Sequence, residues 1–293
     1  MKLLRFDVGG VPTLGAMRDG EVVALDSVGA DYPTMSAIIA GGSQALERVA
    51  AAISAATKTL PLASVHLLAP VERPGKYLAI GMNYAKHLEE ADKLGVARAK
   101  HQTWFNKQTT CISGPYDDID PGVTEKLDYE VELGAVIGKP ARHVSEADAA
   151  SHVFGYFVAN DVSARDWQFH TPTFTMGKSF DTHGPIGPWI VTSDEIGDPH
   201  ALTLRSFVNG EKRQESDTGQ MIHKLWAQIA YLSTAFTLES GDLIATGTPE
   251  GVGVGMDPQH FLQPGDVVRC EIDGIGFIEN RVVASSAPTV DRS

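Results

Sequence analysis

The chain has 293 residues, 43% of them hydrophobic, with a mean hydropathy of −0.09. These values exclude a disordered chain and one embedded in lipid. Twenty-four Lys plus Arg against 37 Asp plus Glu give a formal charge of −13. That balance disfavours nucleic acid and membrane partners, because both recruit Lys/Arg surfaces. The surplus acids either solvate the surface alone or include some that hold a cation.

Cys111 and Cys270 are the only cysteines, far apart and without a CxxC. They form neither a disulfide framework nor a Cys-based zinc site. Met1 to Val11 lacks a long apolar run, so no signal peptide is visible, and no stretch approaches the roughly 20 apolar residues of a membrane helix. A reducing, cytoplasmic location is expected.

In chain order, Lys2 to Ser27 reads as short strands joined by turns at Gly9-Gly10 and Asp19-Gly20. Met35 to Ala56 is Ala-rich, with Ile38, Ile39, Leu46, Val49 and Ile53 at helical spacing. The Pro-rich stretch Leu60 to Pro74 places a boundary between a small N-terminal α/β domain, residues 1–72, and a main domain, residues 73–293. Tyr77 to Gly81 reads as a strand, and Asn83 as the N-cap of a helix running to Lys93. Tyr129 to Gly138 alternates like a strand. Ser145 opens a short helix, Glu146 to His152. Val153 to Ala159 is apolar enough to be buried on both faces. Met221 to Phe236 reads as the longest amphipathic helix, and Gly241 to Ala245 and Asp266 to Ile272 as further strands. Ser286 to Ser293 reads as a polar tail. Many strands and few helices predict a β-rich α+β fold.

Side chains alternate faces along a strand, so Glu130 and Glu132 share one. Two carboxylates about 6.5–7 Å apart repel unless something positive lies between them. Mg²⁺, Mn²⁺ or Ca²⁺ would answer that need, and a wet acidic strand face is the alternative. Asp161 follows a buried strand and is either a third oxygen ligand or a turn cap. His87 and Glu90, three apart on a helix, share a face. They form either a surface pair or a carboxylate-oriented general base. Lys178 and Lys107 each invite two readings, as solvated lysines or as partners of a substrate anion. The Gly-rich run Thr246 to Gly253 fits neither GxxxxGK[ST] nor GxGxxG, so a nucleotide loop is rejected.

Taken in order, Asn83-Tyr84-Ala85-Lys86-His87, Tyr129-Glu130-Val131-Glu132-Leu133, Asn160 to Asp166, Gly177-Lys178-Ser179-Phe180-Asp181 and Thr246-Gly247-Thr248-Pro249 resemble the fumarylacetoacetate hydrolase superfamily. The resemblance covers roughly residues 77–283. It implies a mixed β-sandwich roll, a homodimer and a Mg²⁺ or Mn²⁺ site. By position, Glu130, Glu132 and Asp161 would ligate the metal. His87 and Glu90 would activate a water from a mobile lid. Lys178, Lys107, Arg165, Gln168 and Thr248 would line the substrate site. Where acylpyruvase-like members carry Arg before Asn-Tyr, this chain has Met82 and lacks that cation. Residues 1–70 resemble the extra domain of bacterial diketo-acid hydrolases and diene-dioate isomerases.

The reaction expected from this resemblance is metal-dependent hydrolysis of a C–C bond in a 2,4-dioxo acid, in the catabolism of aromatic or sugar-acid compounds. Hydroxide would attack the distal carbonyl and expel a pyruvate enolate. Three alternatives stand beside it. One is an isomerase or decarboxylase with the same metal. Another is a ring-opening hydrolase on a bulkier substrate, favoured by Trp167, Phe169, Phe174 and Phe180. The third is a non-catalytic binding member.

Overall fold

A computed structural model describes residues 1–30, 32–93, 95 and 99–285. The expected polar tail at residues 286–293 lies outside the described residues. The N-terminal turns form as read. Lys2–Val8 pairs with Val11–Arg18, which pairs with Glu21–Ala24. Gly9, Gly10, Asp19 and Gly20 all take positive φ, as tight two-residue hairpins require.

These strands do not form a sheet of their own. Lys2 and Leu3 pair with Val191 and Ile190 of the strand Gly184–Thr192. One twelve-stranded sheet therefore runs from the N-terminal hairpins through Gly184–Thr192, Val153–Asn160, Val131–Ile137, Leu243–Ala245 and Tyr77–Gly81 to Thr103–Lys107. A four-stranded antiparallel sheet, Thr203–Val208, Glu211–Asp217, Val267–Ile272 and Gly276–Arg281, covers one face. Leu133, Ala135 and Ile137 pack there with Leu204, Val268, Cys270 and Ile278. The helix Met35–Ala55 covers part of the other face. Its Ile38, Ile39 and Val49 meet Val136, Ile190 and Leu243. Burying each such side chain contributes about 1.5–3 kcal/mol. The β-rich sandwich expected from the sequence is the observed architecture.

Three sequence expectations are corrected. Met221–Phe236 is helical only over Leu225–Ala235. Asn83 holds the preceding segment extended: its backbone oxygen accepts from Ile222 N, and its Oδ1 accepts from His223 N. Among the described residues the longest helix is Met35–Ala55, kinked at Gly42. Asn83 does not cap the helix Ala85–Lys93. It is fully buried, and its amide donates to the carbonyls of His223 and Thr246. The segment after Ser145 makes only a 3-10 turn, Ala149–His152. Ser145 Oγ still accepts from Asp148 N at 3.2 Å.

Candidate active site

Val131–Ile137 is buried along its whole length, and Glu130 and Glu132 are only 5% and 1% exposed. A wet acidic face is thereby excluded. Val153–Asn160 runs antiparallel to it, with Val131 opposite Asn160. That register brings Asp161, which follows the strand, back to Glu130, and Asp161 N donates to Glu130 O at 2.9 Å. Carboxylate oxygens of Glu130, Glu132 and Asp161 lie within 4.8 Å of one another.

This donor set fits a hard divalent cation: three buried carboxylates and no sulfur. Its protonation balance points the same way. Burial raises the Glu132 carboxyl well above the usual carboxylate range, and the charges of Asp161 and Glu130 push it further. Burial would raise Glu130 too, but Lys178 and Arg165 hold it down to about 2. Lys178 Nζ donates to Glu130 Oε2 at 2.7 Å and to Asp161 Oδ2 at 2.9 Å. A cationic group thus already lies between two members of the triad.

The turn that delivers Lys178 needs glycine at 177. A Cβ there would meet Gln168 N and Cα at 2.4 Å. The short helix Arg165–Gln168 lies against it. Arg165 donates from Nε to Asp128 Oδ2 at 2.8 Å and from Nη1 to Gln168 Oε1 at 3.0 Å, and pairs with Glu130 Oε1 at 2.7 Å. Its Nη2 is buried without a partner among the described residues.

His87 Nδ1 lies 3.0 Å from Glu90 Oε2. A carboxylate partner requires Nδ1 to carry the proton, which leaves the Nε2 lone pair free. Glu90 Oε1 accepts from Gly251 N at 2.9 Å, and Gly255 closes over the same carboxylate. His87, Glu90, Glu130, Glu132, Arg165, Gln168, Lys178 and Thr248 line one cavity of about 250 Å³. Ile80, Met82, Phe105, Phe169, Phe174, Val252 and Val254 form its apolar walls.

Two expected substrate contacts are placed differently. Lys107 is 2% exposed and lies behind the triad, off the cavity wall. Its Nζ donates to Asp161 Oδ1 at 2.5 Å and to the carbonyls of Lys178 and His183. It is held by the protein, which leaves no donor for a substrate. Thr248 reaches the cavity, but its hydroxyl donates to Val131 O at 2.9 Å and accepts from Gln214 Nε2 at 2.8 Å. Sequence reading passed over Gln214, Asp128 and the valines at 252 and 254. Gln214 lies in a strand of the second sheet, and nothing local ties it to the cavity.

The charge at the floor can be summed. Asp128, Glu130, Glu132 and Asp161 oppose Lys107, Lys178 and Arg165, all buried. Four acids and three bases leave one surplus negative charge, which a proton on Glu132 cancels. A divalent cation in place of that proton would make the floor net positive and attractive to an anion.

Residues 76–283 match the family described as fumarylacetoacetate (FAA) hydrolase C-terminal, and residues 1–70 match Rv2993c-like, N-terminal. The chain is 42% identical over 291 residues to an oxaloacetate tautomerase, fahd2, mitochondrial, of Xenopus laevis, covering 97% of this chain and 90% of that protein. A solved fumarylacetoacetate hydrolase from Exiguobacterium antarcticum superposes with a TM-score of 0.85 at 37% identity, covering 97% of this chain and 99% of that one. The maleylpyruvate hydrolase of Sphingobium sp. SYK-6, solved with manganese(II) and pyruvate, gives a TM-score of 0.80 at 33% identity, covering 98% and 100%. Among the described residues no helix is long and apolar enough to cross a membrane. Matched over residues 76–283 by the family and over nearly its full length by these relatives, the chain belongs to the fumarylacetoacetate hydrolase family.

Proposed function

We propose that this protein is a divalent-metal-dependent enzyme of 2-oxo acids, and that it interconverts the keto and enol forms of an oxaloacetate-like dicarboxylic acid. One observation carries the reading. A carboxylate-oriented imidazole and a buried ammonium line the same small cavity as Glu130 and Glu132 of the acidic triad. Moving a proton between carbon and oxygen needs those two groups. The 42% identity to an oxaloacetate tautomerase supports this choice of substrate class.

Glu130, Glu132 and Asp161 would hold Mg²⁺ or Mn²⁺, which when bound supplies Lewis acidity to a 2-oxo oxygen. Arg165 Nη2 provides a donor for a substrate carboxylate. His87 Nε2 takes the proton from C3, next to the 2-oxo carbon, and Glu90 stabilises the resulting imidazolium. Lys178 Nζ donates to the oxygen on which negative charge grows. The C–H bond breaks, an O–H bond forms, and reprotonation of Lys178 by way of His87 restores both groups. Positioned acid–base groups of this kind contribute about 10²–10⁴ in rate.

The apolar wall favours a second reading, hydrolysis of a 2,4-dioxo acid. Met82 and Phe105 would receive an acyl group, and the same His87 would deprotonate a water. Both readings pass through an enolate of a 2-oxo acid. We also propose a homodimer, to be read out by light scattering. The deciding experiment incubates the metal-loaded protein with enol-oxaloacetate and with a series of acylpyruvates, and identifies products by NMR. Faster ketonisation without chain cleavage supports the first reading, and two carbon-chain products support the second. Neither result with any of these acids overturns both.

A further inference from the structure

We propose that Asp128 is a positioning residue that sets two parts of the active site together. It aims the Arg165 guanidinium into the cavity, and it clamps the Gly251–Gly255 loop on which Glu90 rests. The Arg165 half rests on the reading that the cavity takes a 2-oxo acid.

Asp128 belongs to a two-residue strand, Leu127–Asp128, paired with Ser163–Ala164 immediately before Arg165. It is fully buried and lies outside the acidic triad. Four donors converge on it. Oδ1 accepts from Tyr129 N at 2.9 Å and from Gly253 N at 2.8 Å. Oδ2 accepts from Arg165 Nε at 2.8 Å and from Val254 N at 3.0 Å. Only an ionised carboxylate offers four acceptor positions in that space.

The first arm fixes Arg165. With Nε held by Asp128 and Nη1 by Gln168 and Glu130, the planar guanidinium has no freedom to turn. Nη2 is the donor left over. It is buried without a partner among the described residues, on a side chain that lines the cavity. An unpaired buried donor is costly, and a bound carboxylate would satisfy it.

The second arm fixes the loop. Gly253 and Val254 hang from Asp128, and Gly251 N donates to Glu90 Oε1 at 2.9 Å. No side chain fits at Gly253, where a Cβ would lie 2.8 Å from Asp128 Oδ1 and 2.1 Å from His260 O. At Gly255 a Cβ would lie 2.8 Å from Glu90 Cδ. The loop thus bears on both carboxylates, and its seat on Asp128 sets where Glu90 holds His87.

The test compares Asp128→Asn and Arg165→Lys with the parent protein, using pyruvate as the probe. Asp128→Asn places an NH₂ where one of the four donors now binds. In metal-stripped protein, amide hydrogen exchange in residues 249–256 is expected to accelerate at least tenfold. In the Mn²⁺-loaded protein, pyruvate affinity by titration calorimetry is expected to fall about tenfold. Arg165→Lys breaks the same contact from the other side. It is expected to lower pyruvate affinity equally and leave loop exchange unchanged, so it keeps the first arm open to refutation even if Asp128→Asn does not fold. Unchanged pyruvate affinity in Arg165→Lys, or in a folded Asp128→Asn, overturns the aiming role. Unchanged loop exchange in a folded Asp128→Asn overturns the clamp. If the parent binds pyruvate but turns over no 2-oxo acid, the functional reading fails and the positioning role stands.

Discussion

Glu132→Gln separates the cost of the acidic triad from its use. One oxygen of each carboxylate lies within 4.8 Å of the others. At an effective dielectric of about 20, each neighbouring carboxylate then repels an ionised Glu132 by about 3.5 kcal/mol. Lys178 offsets part of that, because its ammonium bonds Glu130 and Asp161. Burial, and then the charges of Asp161 and Glu130, raise the Glu132 carboxyl well above the ordinary range in the folded protein. The sign follows from linkage. Below the unfolded value, about 4.3, both states are protonated and Glu132 contributes nothing. As pH rises past that value the unfolded state ionises freely and the folded state does not, so metal-free stability falls. Glutamine removes this penalty and can still accept from Gly247 N, as Glu132 does at 2.7 Å. Metal-stripped Glu132→Gln should therefore melt higher than the parent at neutral pH and equal to it near pH 4. With Mn²⁺ at a hundred times its dissociation constant the parent gains about 2.7 kcal/mol, roughly 4 °C for a chain of this size. The variant should gain less than half of that. Differential scanning fluorimetry across pH, with and without Mn²⁺, measures both. A variant that melts lower than the stripped parent, or gains the same shift with metal, refutes the reasoning.

Further expectations follow from single contacts. His87→Ala should lower turnover by about 10²–10⁴ while leaving Mn²⁺ affinity within threefold, since His87 is outside the triad; a loss of metal affinity instead would make it a ligand. Glu90→Gln keeps a hydrogen bond to the imidazole but can donate to Nδ1, favouring the other tautomer, so kcat should fall at least tenfold, with restoration to the parent value counting against the dyad. Met82→Arg puts a cation on the apolar wall and should shift kcat/KM from acyl-bearing substrates toward dicarboxylates at least tenfold, about 1.4 kcal/mol. Gly134→Ala places a Cβ 2.2 Å from the Phe157 ring; overpacking of this kind costs about 1–3 kcal/mol, and an unaltered melting temperature would contradict the packing described.

Much of the site was legible because its parts obey local rules. Alternation along one strand put Glu130 and Glu132 on a common face, and helical spacing did the same for His87 and Glu90. Motif order then joined them to Asp161 and Lys178. What local pattern could not show was whether a given polar group is turned toward substrate or consumed by the protein. Lys107 and Lys178 look alike in sequence. One lies behind Asp161 holding backbone carbonyls, while the other lines the cavity. Asn83 has the composition of a helix cap, but its amide is taken by His223 and Thr246, some 140 and 163 residues away in sequence. Its backbone oxygen and Oδ1, accepting from Ile222 N and His223 N, keep residues 221–223 out of a helix that their apolar spacing suggests. Asp128 was passed over because its four donors come from three separated segments. The overall charge of −13 likewise says nothing about the floor of the cavity, where three cations stand against four acids.

The central claim is that the triad holds a divalent cation for proton transfer on a 2-oxo acid by His87. Its most direct measurement is the ketonisation rate of enol-oxaloacetate with chelator-stripped protein, before and after adding Mn²⁺, run in parallel with His87→Ala to subtract catalysis by free metal. Little rate is expected without metal, a large increase with it, and loss of most of that increase in His87→Ala. Equal rates in stripped and metal-loaded parent protein, or an unimpaired His87→Ala, would contradict the claim.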